Sequence, residues 1–229
     1  TAKSELAGYD DAYASYTLNV DKEHIAVSVK AKSITYGESN PYAGLEDLAF
    51  SPAVSADGLG TPAFTTTYTV GSGIGEYTVN ASGLTSDKYS FVYAPGILTV
   101  NQKVLNVENF EVTAADKVYD GTNTAVVTAA ANNGLVGSDT LTVTATGSFA
   151  DKNAADSKQV NYTITGISGV KAANYVLGTT AGTTTANITK MPVTFSFGAS
   201  EFSYDGDKKT VMVSAVDKDN RVFTDYTVN

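Results

Sequence analysis

Apolar and polar residues alternate with a period of two along much of this chain. His24-Ile25-Ala26-Val27-Ser28-Val29-Lys30 sets Ile25, Val27 and Val29 on one face, the pattern of a half-buried strand. Glu76-Tyr77-Thr78-Val79, Leu98-Thr99-Val100, Leu141-Thr142-Val143-Thr144 and Asn161-Tyr162-Thr163-Ile164 repeat it. The intervening positions are rich in Thr, which suits a pleated surface and is stiff at χ1 in a helix. Two stretches leave room for a helical turn, the acidic, Ala-rich residues 2–16 and residues 44–50, and neither is long enough to stand alone. The fold class expected is all-β.

A longer period overlies the short one. Tyr36-Gly37, Tyr119-Asp120-Gly121 and Tyr204-Asp205-Gly206 recur at intervals of 83 and 85 residues (36 to 119, 119 to 204). An alternating strand precedes each, over residues 25–29, 104–112 and 193–197. Closing strands follow at Gly96-Ile97-Leu98-Thr99-Val100 and Thr185-Ala186-Asn187-Ile188-Thr189, and Tyr16-Thr17-Leu18-Asn19-Val20 has the same character. The expected divisions are 1–21, the end of a preceding repeat; 22–102 and 103–190, two whole repeats; and 191–229, a partial third. Each repeat is expected to be an immunoglobulin-like β-sandwich, or else a β-grasp-like unit with a short helix near Leu45 to Phe50. The junctions Asn101-Gln102-Lys103 and Lys190-Met191-Pro192 hold no flexible spacer, so the repeats are expected end to end as a rod. A half repeat buries little by itself. Head-to-tail strand exchange, a tail of one molecule completing the half repeat of another, is therefore an expected option.

These residues carry a family resemblance. The first repeat resembles the MBG domains found in tandem in large bacterial surface proteins, through Tyr36-Gly37, Asn40-Pro41, Gly75-x-Tyr77-x-Val79 and Gly96-x-Leu98-x-Val100. It departs from them at Lys88, before Tyr89, where that family usually has Asn. The second is similar to the related YDG domains, through Lys117-x-Tyr119-Asp120-Gly121-Thr122, Val136-Gly137-Ser138-Asp139, Asn174-Tyr175 and Ile188-Thr189-Lys190. The third fragment shares only Tyr204-Asp205-Gly206. The resemblance implies an internal piece of a secreted or cell-wall-anchored, adhesin-like protein, extracellular, with its signal and anchor outside this fragment. It implies no catalytic residues. Tyr36, Gly37, Tyr119, Asp120, Gly121, Tyr204, Asp205 and Gly206 are read as a structural motif, a strand end whose ring sits at the core edge before a tight turn.

Composition narrows the chemistry. The absence of Cys removes disulfides and thiolate sites, and a lone His24 removes poly-His zinc sites. A net charge of −9 argues against a nucleic-acid partner, and no apolar run reaches the roughly 18 residues of a membrane helix. Neither a cofactor nor membrane insertion is expected. Gly71-Ser72-Gly73-Ile74-Gly75 leads into a strand, so it is read as a β–β loop and not a phosphate cradle. Asp205, Asp207, Asp217 and Asp219 form short acidic clusters, read first as turns and second as a calcium option. Asp116, Asp120, Asp151 and Asp156 are further acidic candidates. Lys30 with Asn101 and Lys103 with Asn187 are candidate isopeptide pairs. Tyr36, Tyr42, Tyr68, Tyr77, Tyr89 and Tyr93 offer an aromatic platform for a host or dietary glycan, or for a surface protein. The reading favoured is a non-catalytic stalk whose partners are neighbouring repeats, with a Tyr-based binding module as the alternative. A spacer should bury its Tyr rings, whereas a binding module should present several exposed rings around a concavity.

Overall fold

The computed structural model describes residues 2–3, 7–8, 13–198 and 201–223. Its secondary structure is almost entirely β. Helix among these residues is confined to the three-residue 3-10 turns Leu45–Asp47, Val107–Asn109 and Ala172–Asn174. Contacts divide the chain into two compact units, 1–101 and 102–229.

In the first unit the opening strand Glu23–Val29 lies between two neighbours. It runs antiparallel to Leu48–Ser51 and parallel to the late strand Tyr89–Ala94. The chain then changes sheet. The corner strand Lys32–Thr35 runs parallel to the closing strand Gly96–Asn101, and Gly75–Ser82 and Ala63–Thr66 complete that four-stranded sheet. Segments 23–35 and 89–101 therefore travel side by side through both sheets, bending together at residues 30–31 and at Pro95. Gly96 makes that bend possible, since a Cβ there would lie 2.5 Å from the Val29 carbonyl oxygen. The alternation read from the sequence decides what is buried. Ile25, Val27 and Val29 face Leu98, Val100 and Val79 in the core, while Ala26 and Ser28 face out. Burying each such side chain contributes about 1.5–3 kcal/mol.

The second unit repeats this plan. Lys103–Leu105 runs parallel to Tyr175–Leu177, and the corner strand Lys117–Val118 runs parallel to the closing strand Ala181–Thr189. The closing strand belongs to a five-stranded sheet with Ala155–Ser168, Thr142–Phe149 and Thr124–Ala125. Phe149, Val160, Ile188, Ala125 and Ala186 form the core cluster, with Tyr119 packed against it. Further along, Val193–Phe197 pairs antiparallel with Val213–Asp217, which pairs with Val222–Phe223.

Two local expectations change. Residues 104–112 are not one strand. The chain breaks at Asn106, whose backbone N–H donates to Asn109 Oδ1 and whose Oδ1 accepts the Thr179 N–H (2.8 and 2.9 Å). These side-chain bonds turn the chain through a 3-10 step before the strand Phe110–Ala114. Within residues 2–16, the described part is not helical. Ala2–Lys3 pairs antiparallel with Tyr13–Ala14. In residues 44–50 the helical turn is the 3-10 step Leu45–Asp47, and Leu48–Ser51 follows as strand.

Candidate functional site

The Tyr corners occupy one backbone position in both complete repeats. Tyr36 follows the corner strand and donates its N–H to the Asn101 carbonyl at 2.8 Å. Tyr119 follows its own corner strand and donates to the Thr189 carbonyl at 2.9 Å. Each corner then turns on a glycine of positive φ, Gly37 at 93° and Gly121 at 82°, and Gly206 turns the third at 89°. The rings differ in depth. Tyr36 is fully buried, Tyr119 lies at the core edge, and Tyr204 is exposed.

Other Tyr hydroxyls pin loops to the sheets. Tyr42 donates to the Lys30 carbonyl (2.7 Å), Tyr77 to the Gly73 carbonyl (2.8 Å), and Tyr68 to the Glu38 carbonyl. Tyr175 accepts the Val136 N–H at 2.8 Å and donates to Asp139 Oδ2 at 2.7 Å. Ring contacts Tyr42–Phe64 and Tyr68–Tyr77, at 5.5 and 5.3 Å between centroids, pack the same side chains. A phenol with an apolar body and one polar tip suits this double duty.

Two charged groups that patterning did not single out complete the corners. The Lys117 ammonium donates to Asp120 Oδ1, the Thr122 carbonyl and the Thr124 carbonyl (2.9, 2.9 and 3.0 Å), while lying 5.6 Å from the Phe149 ring centroid. Asp120 also accepts the Thr122 N–H and hydroxyl. Lys117 first, and then these donors, hold the Asp120 carboxyl far below its ordinary range. Lys117 was visible only as a letter of the Lys-x-Tyr-Asp-Gly-Thr string. In the first repeat, buried Asp47 accepts the Ala43 N–H at 2.7 Å and pairs with Lys32, whose ammonium lies 5.0 Å from the Tyr42 ring centroid. Burial alone would raise the Asp47 pKa. The Lys32 bond and the Ala43 and Gly44 N–H groups outweigh it and bring it below the usual carboxylate value.

One concavity stands apart from the corners. Tyr89, Phe91 and Tyr93 point to the same side of the late strand, with neighbouring centroids 6.5 Å apart, and all three are half-buried. They line a cleft of about 640 Å³ with Lys22, Ser86, Asp87 and Ser90 on its rim. Lys22 Nζ donates to the Ser86 carbonyl, and Tyr93 Oη accepts the Leu84 N–H (2.6 and 3.0 Å). The matching position in the second unit is closed. Tyr89 sits opposite Glu23 as Tyr175 sits opposite Lys103, yet Tyr175 is buried under the loop that supplies Val136 and Asp139. Phe91 escaped the sequence reading, which followed Tyr alone.

The remaining candidates take ordinary structural roles. Asp217 lies in a hairpin turn, where Oδ1 accepts the Asp219 and Arg221 N–H groups (2.8 and 3.0 Å). Its buried Oδ2 lies 3.9 Å from Arg221 Nε. Asp219 pairs with Lys218 at 2.8 Å, and Asp205 accepts the Asp207 N–H and pairs with Lys209. Among the described residues no three or more His, Asp or Glu side chains gather as a metal site. Asp116 accepts the Asn187 N–H and side-chain amide, and Asp151 pairs with Lys158. Lys30 donates to the Glu46 carbonyl, so Lys30 and Asn187 of the isopeptide candidates have other partners. His24 Nδ1 meets Ser90 Oγ at 2.7 Å as a direct cross-strand pair on the parallel strands. Residues 71–75 lead into the strand Gly75–Ser82. No helix among the described residues is long and apolar enough to cross a membrane.

Comparison with known families agrees with the repeat geometry. The model of the MBG domain (YGX type) matches residues 25–99, and that of the YDG domain matches residues 101–186. No curated protein matches the chain, and no solved structure does. Tyr36-Gly37 falls within the first match and Tyr119-Asp120-Gly121 within the second, each at the equivalent backbone position. The chain thus contains an MBG domain of the YGX type, over residues 25–99, followed in tandem by a YDG domain over residues 101–186.

Proposed function

We propose that this segment is a non-catalytic spacer in a bacterial cell-surface protein, holding other regions of that protein at a fixed separation. The observation that carries this reading is the junction. The closing strand of the MBG domain ends at Asn101 and the opening strand of the YDG domain begins at Lys103. The single residue between them is itself tied down, since Gln102 Nε2 donates to the Ala173 and Tyr175 carbonyls (3.0 and 3.1 Å). A junction this short holds no Gly/Ser or Pro-rich spacer, which is what a rod of repeats needs. Tyr rings committed to cores and loops fit the same role, and the acidic surface keeps such segments soluble and apart. Spin labels on one exposed strand of each domain should give a narrow distance distribution. A broad one, unchanged when Gln102 is replaced by Gly, would reject the spacer reading.

The open groove supports a second reading, a module that binds a neutral saccharide from host or diet, or a surface protein. Three half-exposed rings, two of them phenols, and one charge of each sign on the rim suit a polyhydroxylated ligand. Retention on a glycan array that disappears in Tyr89→Ala and Phe91→Ala, with the fold intact, is the expected result for this reading. No retention by the unaltered chain removes it.

A further inference from the structure

The late strand of the MBG domain, Tyr89–Ala94, forms the edge of its sheet. On one side it runs parallel to the opening strand, and among the described residues no strand pairs with its other side. The phase of that pairing decides which main-chain groups are used. Glu23 donates its N–H to the Lys88 carbonyl at 3.0 Å, so the even-numbered residues of the late strand carry the bonds of the parallel ladder. The N–H and C=O groups of Phe91 and Tyr93 therefore point away from the opening strand. The Tyr89 N–H is already taken up by Ser86 Oγ at 3.3 Å. An edge of this kind is a template for a further strand.

The side chains serve the same purpose. Phe91 and Tyr93 stand opposite Ile25 and Val27, so all four lie on the face that the core uses. Ile25 and Val27 are fully buried, whereas Phe91 and Tyr93 are half-buried and line the cleft of about 640 Å³ together with Leu84 and Thr85. A strand laid along this edge would direct every second side chain into the cleft. The others would join the opposite face of the sheet, where Val92 is exposed. The YDG domain indicates what kind of molecule belongs there. Tyr175, the counterpart of Tyr89, is covered by polypeptide, with the Val136 N–H and the Asp139 carboxylate on its hydroxyl. Outward main-chain groups that recur every two residues, about 6.6 Å apart, match an extended peptide in register.

We propose that the MBG domain binds an extended polypeptide segment by strand addition to its late strand, with apolar side chains at alternate positions seated in the cleft. This rests on the reading of the groove as a binding site and commits that site to a polypeptide. The opening strand shows which side chains suit the position, since Ile25 and Val27 already stand beside Phe91 and Tyr93 on the inner side.

The probe is an acetylated and amidated peptide with the sequence of residues 22–30, Lys-Glu-His-Ile-Ala-Val-Ser-Val-Lys, added to the whole chain. In the chain alone, amide exchange at Phe91 and Tyr93, read by NMR, should be about tenfold or more faster than at Val92. Saturating peptide should slow Phe91 and Tyr93 by about the same factor and leave Val92 unchanged. N-methylation of the peptide at the positions of Ile25 and Val27 should differ sharply in effect from methylation at those of Ala26 and Ser28. Only one alternate set of N–H groups can face the edge, and the set that matters reports the direction of the added strand. Phe91→Ala should weaken binding about tenfold or more and Val92→Thr should not, with circular dichroism unchanged in both. Absence of protection at Phe91 and Tyr93, or equal losses from both methylated peptides, would overturn strand addition. Glycan retention that depends on Tyr89 and Phe91 would then leave the groove as a saccharide site, whereas no retention would remove both readings. A dimer in sedimentation that Phe91→Ala disperses would assign the edge to a second copy and likewise overturn the proposal.

Discussion

Single side chains hold this molecule together through polar tips attached to buried bodies. Tyr175 shows the arrangement most clearly, since one hydroxyl accepts the Val136 N–H and donates to Asp139 while the ring is buried. Tyr175→Phe keeps the ring and leaves a backbone N–H without its acceptor, so a loss of about 1–2 kcal/mol is expected in urea unfolding. Asp47 predicts a pH effect. Its folded pKa lies below its unfolded value, so the stability it contributes is present above roughly pH 4 and drains away as pH falls through the folded value. Asp47→Asn should flatten that acid limb. It should also cost on the order of 2 kcal/mol at neutral pH, less than a fully buried pair, because the Lys32 side chain is 31% exposed. Such roles were not legible in the sequence. Lys32 and Asp47 are separated along the chain and meet only after the corner strand and the 3-10 turn are in place.

At the level of strands, alternation reports which face is buried but not which strand is adjacent. Ile25, Val27 and Val29 were readable as one face, and they are buried together. Their pairing with residues 91 and 93 was not readable, because parallel partners are joined by long connections whose length carries no register. The strand expected over residues 104–112 failed for a different reason, since Asn106 offers side-chain bonds that compete with the ladder. The Tyr-Gly and Tyr-Asp-Gly strings were legible because a tight turn with positive φ needs Gly at a set place. The groove was not, since its existence depends on which loop covers Tyr89 and which covers Tyr175. Gly96 offers an element-scale test. Gly96→Ala would force a methyl against the Val29 carbonyl where both paired segments bend, and about 1–3 kcal/mol of destabilisation is expected in thermal unfolding. Gly96 is not among the glycines of positive φ, so the contact with Val29 alone carries the expected cost.

Across the whole molecule, two separate cores imply separable stabilities. Leu98→Ala empties part of the MBG core, and its penalty of about 2–5 kcal/mol should lower one calorimetric transition while leaving the YDG transition in place. The side-by-side first and last strands have a mechanical consequence. Because they run in the same direction, tension applied at the two ends of a domain slides one strand along the other. Every rung between them is then loaded at once, and none can be opened singly as in a zipper. In single-molecule pulling, a domain held at its natural ends should resist higher force than one gripped so that the closing strand peels away from its tip. A segment placed under tension would keep its length until a whole ladder gives way together.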